Sequence, residues 1–181
     1  WYSFKYGWKG DYKTFKEANE IAKGYNEQSI VEKIKETTRK VVSGDVAYER
    51  DGIVYDTPKM NYSMLSTLLF VAAENNCKLT VLDFGGSLGT TYNHKKQYLE
   101  SVHDLHWCIV EQANYVQAGR KEFEHERLHF YYSLEECLQH HQPDIIIFSG
   151  VIQYIEKTYE LLDQIKNSGV KYLYIDYIAF N

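Results

Sequence analysis

Residues 81–92, VLDFGGSLGTTY, carry an apolar stretch through an acidic residue into a glycine-rich turn that opens a helical pattern. A strand that turns tightly into a helix leaves its turn N–H groups and the helix N-terminus at the carboxyl edge of a sheet, where α/β folds bind ligands. The rest of the chain from Lys78 supports that layout. LTVLD (79–83), HWCIVE (106–111), LHFYY (128–132), DIIIFS (144–149) and KYLYIDY (171–177) read as strands, with helical patterns between them near 90–101, 112–123, 134–139 and 159–167. Ser133 with Glu136 reads as a capping box, and Gly169 as a helix stop. Short apolar strands alternating with amphipathic stretches predict a parallel sheet with helices on both faces, a three-layer α/β fold.

Upstream the pattern is different. Trp1, Phe4, Tyr6, Trp8 and Tyr12 are too irregular for a helix and predict a packed aromatic arm. Thr14 and Glu17 form a capping box for a helix through Phe15, Ala18 and Ala22 that stops at Gly24. A second helix follows through Ile30, Ile34 and Val41 to Gly44, then a charged loop, VAYERDGIVYDTPKMN, and a third helix opened by Ser63. At roughly 100 to 200 residues per domain, the 181 residues make one domain. Residues 1–77 form its helical and aromatic cap and 78–181 its core.

Composition removes several classes of function. With 44% hydrophobic residues and 2 Pro the chain can bury a core, and its net charge of −5, with Lys and Glu interleaved, leaves no basic stripe to track nucleic acid. Its longest apolar runs fall far short of the ~20 residues a membrane span needs. Three cysteines without a CxxC pair, two of them among apolar neighbours, read as buried thiols of a cytoplasmic protein.

The turn admits three nucleotide-site readings. A P-loop needs GxxxxGK[ST], and no Gly-Lys pair stands at that distance. A dinucleotide fingerprint on Gly85 would need glycines where Ser87 and Thr90 stand. The pattern acidic-x-G-x-[G/S]-x-G fits Asp83, Gly85, Ser87 and Gly89. It resembles the first motif of Rossmann-like S-adenosylmethionine (SAM) methyltransferases, although Ser87 replaces the usual middle glycine. That resemblance implies a cofactor site of Asp83, Gly85, Gly86, Ser87 and Gly89, with Glu111, ending the next strand, on the ribose hydroxyls. It also implies that Ser149 and Gly150, after the fourth strand, line the methyl-transfer site. Tyr48, Arg50, Gln153 and Tyr154 become candidates for gating substrate or cofactor, and His94 and Tyr154 for catalysis. Arg50 reads equally as a partner of its acidic loop neighbours.

A wider likeness covers residues 8–177. WKGDY, VAYERDG, LDFGGSLGTTY, HWCIVEQANYVQAG and DIIIFSGVIQYIEK resemble a bacterial family of methyltransferases often encoded with surface-polysaccharide biosynthesis genes. It implies SAM as cofactor and O-methylation of a saccharide or another small hydroxylated acceptor. A noncatalytic nucleotide-binding or scaffolding domain is the alternative from another class, and an NAD oxidoreductase a third reading. The HExxH at 125–129 falls on a predicted strand rather than a helix, so no metal is expected. Because this methyltransferase class continues past its fifth strand into an antiparallel hairpin, residues 1–181 are expected to bind cofactor but to transfer methyl groups weakly, with a longer chain active.

Overall fold

The computed structural model describes residues 10–21, 28–57 and 60–178. The first nine residues of the aromatic arm and the expected stop at Gly24 lie outside them. Five parallel strands form the central sheet: β3 (Lys78–Phe84), β4 (Asp104–Val110), β5 (Leu128–Tyr131), β6 (Ile145–Ser149) and β7 (Tyr172–Asp176), in the order β5-β4-β3-β6-β7. All five predicted strands are present, with ends within two residues of those read from sequence. The chain winds outward from β3 to β5, then returns to β3's other side for β6 and β7. That reversal is the doubly wound, Rossmann-like arrangement, and it opens a crevice at the carboxyl ends of β3 and β6.

Strand side chains alternate between two cores. Leu79, Val81, Trp107, Ile109, Phe130, Ile145 and Ile147 pack on one face with α2 (Gln28–Ser43), α3 (Tyr62–Glu74) and α5 (Ala113–Glu122). Leu82, Cys108, Val110, Tyr131, Ile146 and Phe148 pack on the other with α6 (Leu134–His140) and α7 (Thr158–Asn167). Both faces are apolar because both are covered, which explains the near-continuous hydrophobic strands. Cys108 and Cys137 are free, buried thiols.

The helix caps follow local chemistry. Glu17 N–H donates to the Thr14 hydroxyl at the start of α1 (Phe15–Ile21), and Glu136 N–H to that of Ser133 at the start of α6. Gly169 ends α7 at a φ of 80°. Three expectations require correction. The third helix is capped by Asn61, whose side chain accepts from Met64 N–H at 3.0 Å, two residues before Ser63. The first crossover helix, α4 (Thr90–Lys95), is short and passes into a 3-10 turn at Lys96–Tyr98, so a loop replaces much of the long helix foreseen there.

The supposed loop at 46–61 contains a hairpin, β1 (Tyr48–Arg50) paired antiparallel with β2 (Ile53–Tyr55). Asp51 and Gly52, at φ of 53° and 72°, supply the left-handed pair a two-residue turn requires. Aromatic and β-branched residues flank that Asp-Gly on both sides, so the signal was in the sequence, masked by the surrounding charge.

Candidate active site at the carboxyl edge

The glycine turn leaves β3 where the sheet reverses. Gly85 and Gly89 have φ of 73° and 91°, and Ser87 has 56°. A Cβ on Gly85 would stand 2.7 Å from Val151 Cγ2, and one on Gly86 2.7 Å from Asp83 Cγ. The turn is therefore packed tightly from below as well as bent. One consequence concerns Gly85→Val: it distorts the turn itself and does not test ligand binding alone.

Asp83 lies behind the turn at 1% exposure, accepting from Trp107 Nε1 at 3.1 Å and from the Thr91 side chain. Burial pushes its pKa up to about 7 against the pull of those two bonds. It braces the start of α4 against β4. Glu111, one residue past β4, accepts from Gln112 N–H at 2.6 Å and from the Ser87 backbone. Burial raises its pKa while those backbone bonds lower it. The second acid and the glycine turn are thus tied into one unit, an arrangement that their separation in the sequence did not reveal.

The hairpin lies across this edge. On β1, Tyr48 places its ring 4.7 Å from that of His94 on α4. Two residues along, Arg50 sits 5.0 Å over the Tyr177 ring and hydrogen-bonds Tyr177. Arg50 also lies 3.9 Å from Asp51, so the pairing with an acidic neighbour and the position over the sheet edge coexist. Between them Glu49, 2% exposed, accepts from Thr90 Oγ1, from Gly52 N–H at 3.2 Å and from Thr37 Oγ1 at 3.4 Å, binding hairpin, α2 and α4 together.

At the end of β6, Ser149 pairs with Asp176 across the strands, and Gly150 N–H donates to the Asp176 carbonyl at 3.0 Å. Gln153 Nε2 donates to the Gly150 carbonyl at 3.0 Å, while Tyr154 is exposed at the rim. Burial drives the His94 pKa down to about 4, Lys95 lowering it further, so its imidazole is neutral at pH 7. Two residues, Asp176 and Lys95, escaped the sequence reading. Asp176 accepts from Asn61 Nδ2 at 2.6 Å and from Tyr174 OH at 3.1 Å, and Lys95, 2% exposed, places Nζ 3.1 Å from Met60 Sδ. Lys95 is lowered by burial and raised by nearby Asp176.

Elsewhere, His129 lies on β5, its ring 5.7 Å from that of His106 and 4.9 Å from that of His141. His125 is set apart in an isolated bridge. Among the described residues no group of three or more His, Cys, Asp or Glu could hold a metal ion, and no helix is long and apolar enough to cross a membrane.

No protein-family model matches the sequence, and no curated protein does. Solved structures of similar shape include methyltransferases. The plantazolicin methyltransferase BpumL, crystallised with a monoazolic desmethylPZN analog and SAH, superposes with a TM-score of 0.47 at 13% identity, over 83% of this chain and 52% of that one. Magnesium protoporphyrin IX methyltransferase from Synechocystis PCC 6803, with bound SAM, gives 0.41 at 13% identity over 88% and 72%. This chain spans about half the length of the first. The likeness is one of overall shape.

Proposed function

We propose that the protein binds S-adenosylmethionine across the carboxyl ends of β3 and β4 and transfers its methyl group to a small hydroxylated acceptor, a saccharide in the finest form of the reading. The observation that carries this is Glu111, whose half-buried carboxylate stands one residue past β4 beside the glycine turn and bonds the Ser87 backbone. An acid so placed suits a ribose diol, and a turn built on Gly85, Gly86 and Gly89 lets backbone approach a nucleoside. The first strand's acid and the Gly-x-Ser-x-Gly spacing resemble the SAM motif rather than a dinucleotide fingerprint. Bound SAM would supply an electrophilic methyl on a sulfonium. The protein's own task is then alignment and exclusion of water, with the acceptor proton removed by a nearby base.

In this reading Gly85, Gly86, Ser87, Gly89 and Glu111 hold the cofactor and Asp83 holds the turn. Ser149 and Gly150 flank the transferring group, Tyr48, Arg50 and Tyr154 close over it, and His94 is the neutral base. No metal is required, and the compartment is the reducing cytoplasm. Calorimetric titration tests it: SAM and its demethylated product bind, NAD does not, and Glu111→Ala weakens SAM by about 1.5 to 3 kcal/mol, the scale of hydrogen bonds to a charged group. Binding of NAD in preference to SAM, or an unchanged SAM affinity in Glu111→Ala, would overturn it.

A further inference from the structure

Four buried side-chain polar atoms among the described residues have no hydrogen-bond partner: Thr38 Oγ1, His94 Nε2, Gln153 Oε1 and Asp176 Oδ1. Three of the four belong to the site. Burying a polar atom without a partner is costly, so such atoms are rare unless something pairs with them in use.

Their chemistry is uniform. Gln153 Nε2 donates to the Gly150 carbonyl at 3.0 Å, and only its NH₂ can do so, which fixes Oε1 as the free atom. Asp176 has Oδ2 engaged by Asn61 and Tyr174, leaving Oδ1. His94, 6% exposed and neutral, offers a ring nitrogen that accepts in one tautomer. Against these acceptors stand two donors, the Arg50 guanidinium, 3.8 Å from where a Gly150 Cβ would stand, and the buried Lys95 beside Asp176. β1 spans the group, touching His94 through Tyr48 and Tyr177 through Arg50.

We infer that this group is the acceptor subsite and that it recognises a polyhydroxylated ring through Gln153, Asp176 and His94. The inference rests on the methyltransferase reading for its purpose but on these atoms for its ligand. A hydroxyl both donates and accepts, so neighbouring hydroxyls can give protons to Gln153 Oε1 and Asp176 Oδ1 and take them from Arg50 and Lys95. A carboxylate or phosphate has no proton for the orphaned oxygens and is repelled by Asp176. An ammonium satisfies the oxygens but opposes the two cations. Tyr177, 56% exposed at the rim, offers an apolar ring face to the C–H face of such a ligand.

Ligand-observed NMR on the full chain, with and without S-adenosylhomocysteine, tests this with four probes: methyl glucoside, methyl galactoside, cyclohexylamine and cyclohexanecarboxylate. We expect saturation transfer to at least one glycoside and to neither other probe. Asp176→Asn and Gln153→Leu, checked for unchanged melting temperature, should each weaken glycoside binding about tenfold or more. The S-adenosylhomocysteine affinity of Asp176→Asn should stay within about twofold of the parent. Two variants from different elements keep the test decisive if one fails to fold. Preference for the amine or acid, binding of no probe, or glycoside affinity unchanged in the folded variants overturns the subsite. Failure of S-adenosylhomocysteine to bind overturns the methyltransferase reading instead, and the glycoside result still decides the subsite.

Discussion

Asp144 and Asp176 occupy opposite ends of the same sheet and are treated in opposite ways. At the amino edge, Asp144 accepts Thr80 N–H at 2.7 Å on one oxygen and Asn75 Nδ2 at 3.0 Å on the other, joining β6 to β3 and the end of α3. At the carboxyl edge, Asp176 has one oxygen bonded twice and the other left bare. Saturating a carboxylate such as Asp144 serves the fold, because an unpaired buried group subtracts from a stability of only about 5–15 kcal/mol. Where the same sheet leaves acceptors unpaired, folding alone does not account for them. The two edges also differ in their titratable groups: the amino edge carries the His106, His129 and His141 rings, while the carboxyl edge carries Asp83.

The largest expected effect breaks the idea that the whole carboxyl edge is dispensable to folding. Gly85→Val should cost about 2–5 kcal/mol, from a left-handed φ forced on a branched residue and from crowding against Val151. Chemical denaturation measures it, and a loss under about 1 kcal/mol would mean that the turn gives way easily.

Next comes the pH response of the two ends. Burial raises Asp83 from 3.8 to about 7, so the folded chain keeps a proton there that the unfolded chain releases. The stability this represents is whole below pH 3.8 and is lost as pH rises through 7. Asp83→Asn should flatten that decline, with a relative gain of at most about 4 kcal/mol at alkaline pH. His141 runs the other way. Burial, with His129 and His106 beside it, lowers it from 6.5 to about 4, so its share is present above pH 6.5 and lost on acidification towards pH 4. His141→Gln should flatten the acid limb alone. Thermal melts across pH check both, and identical profiles in the two variants would erase the contrast.

Smallest is the direct comparison. Asp144→Ala leaves Thr80 N–H and Asn75 unpaired and should cost about 1–3 kcal/mol. Asp176→Asn keeps an acceptor toward Tyr174 and should change stability by under about 0.5 kcal/mol. Equal losses in the two would show that Asp176 is a structural carboxylate like Asp144.

Much of this layout was legible in the chain. The five strands and the glycine turn are local patterns, and Glu111 was found by asking what ends the next strand. The same question put to KYLYIDY would have found Asp176, an acid at the end of the fifth strand. Lys95 was invisible because a lysine within a helical pattern reads as solvated, and only the approach of Met60 and β7 buries it. The hairpin was missed because Glu49, Arg50 and Asp51 look like surface charge. Glu49 is in fact buried, satisfied by groups from α2 and α4 that no local pattern could supply.

That carboxylate bears on the entropy of binding. A roof that folds down only when ligand arrives must be ordered at that moment, at about 1–2 kcal/mol per backbone residue. Glu49 anchors the middle of β1 to α2, to α4 and to its own turn before any ligand arrives. What remains to be immobilised is chiefly the half-exposed Arg50 side chain, on the order of 0.5–1.5 kcal/mol for one such group. In the proposed site, affinity would therefore be set in advance by a residue that need never touch the ligand.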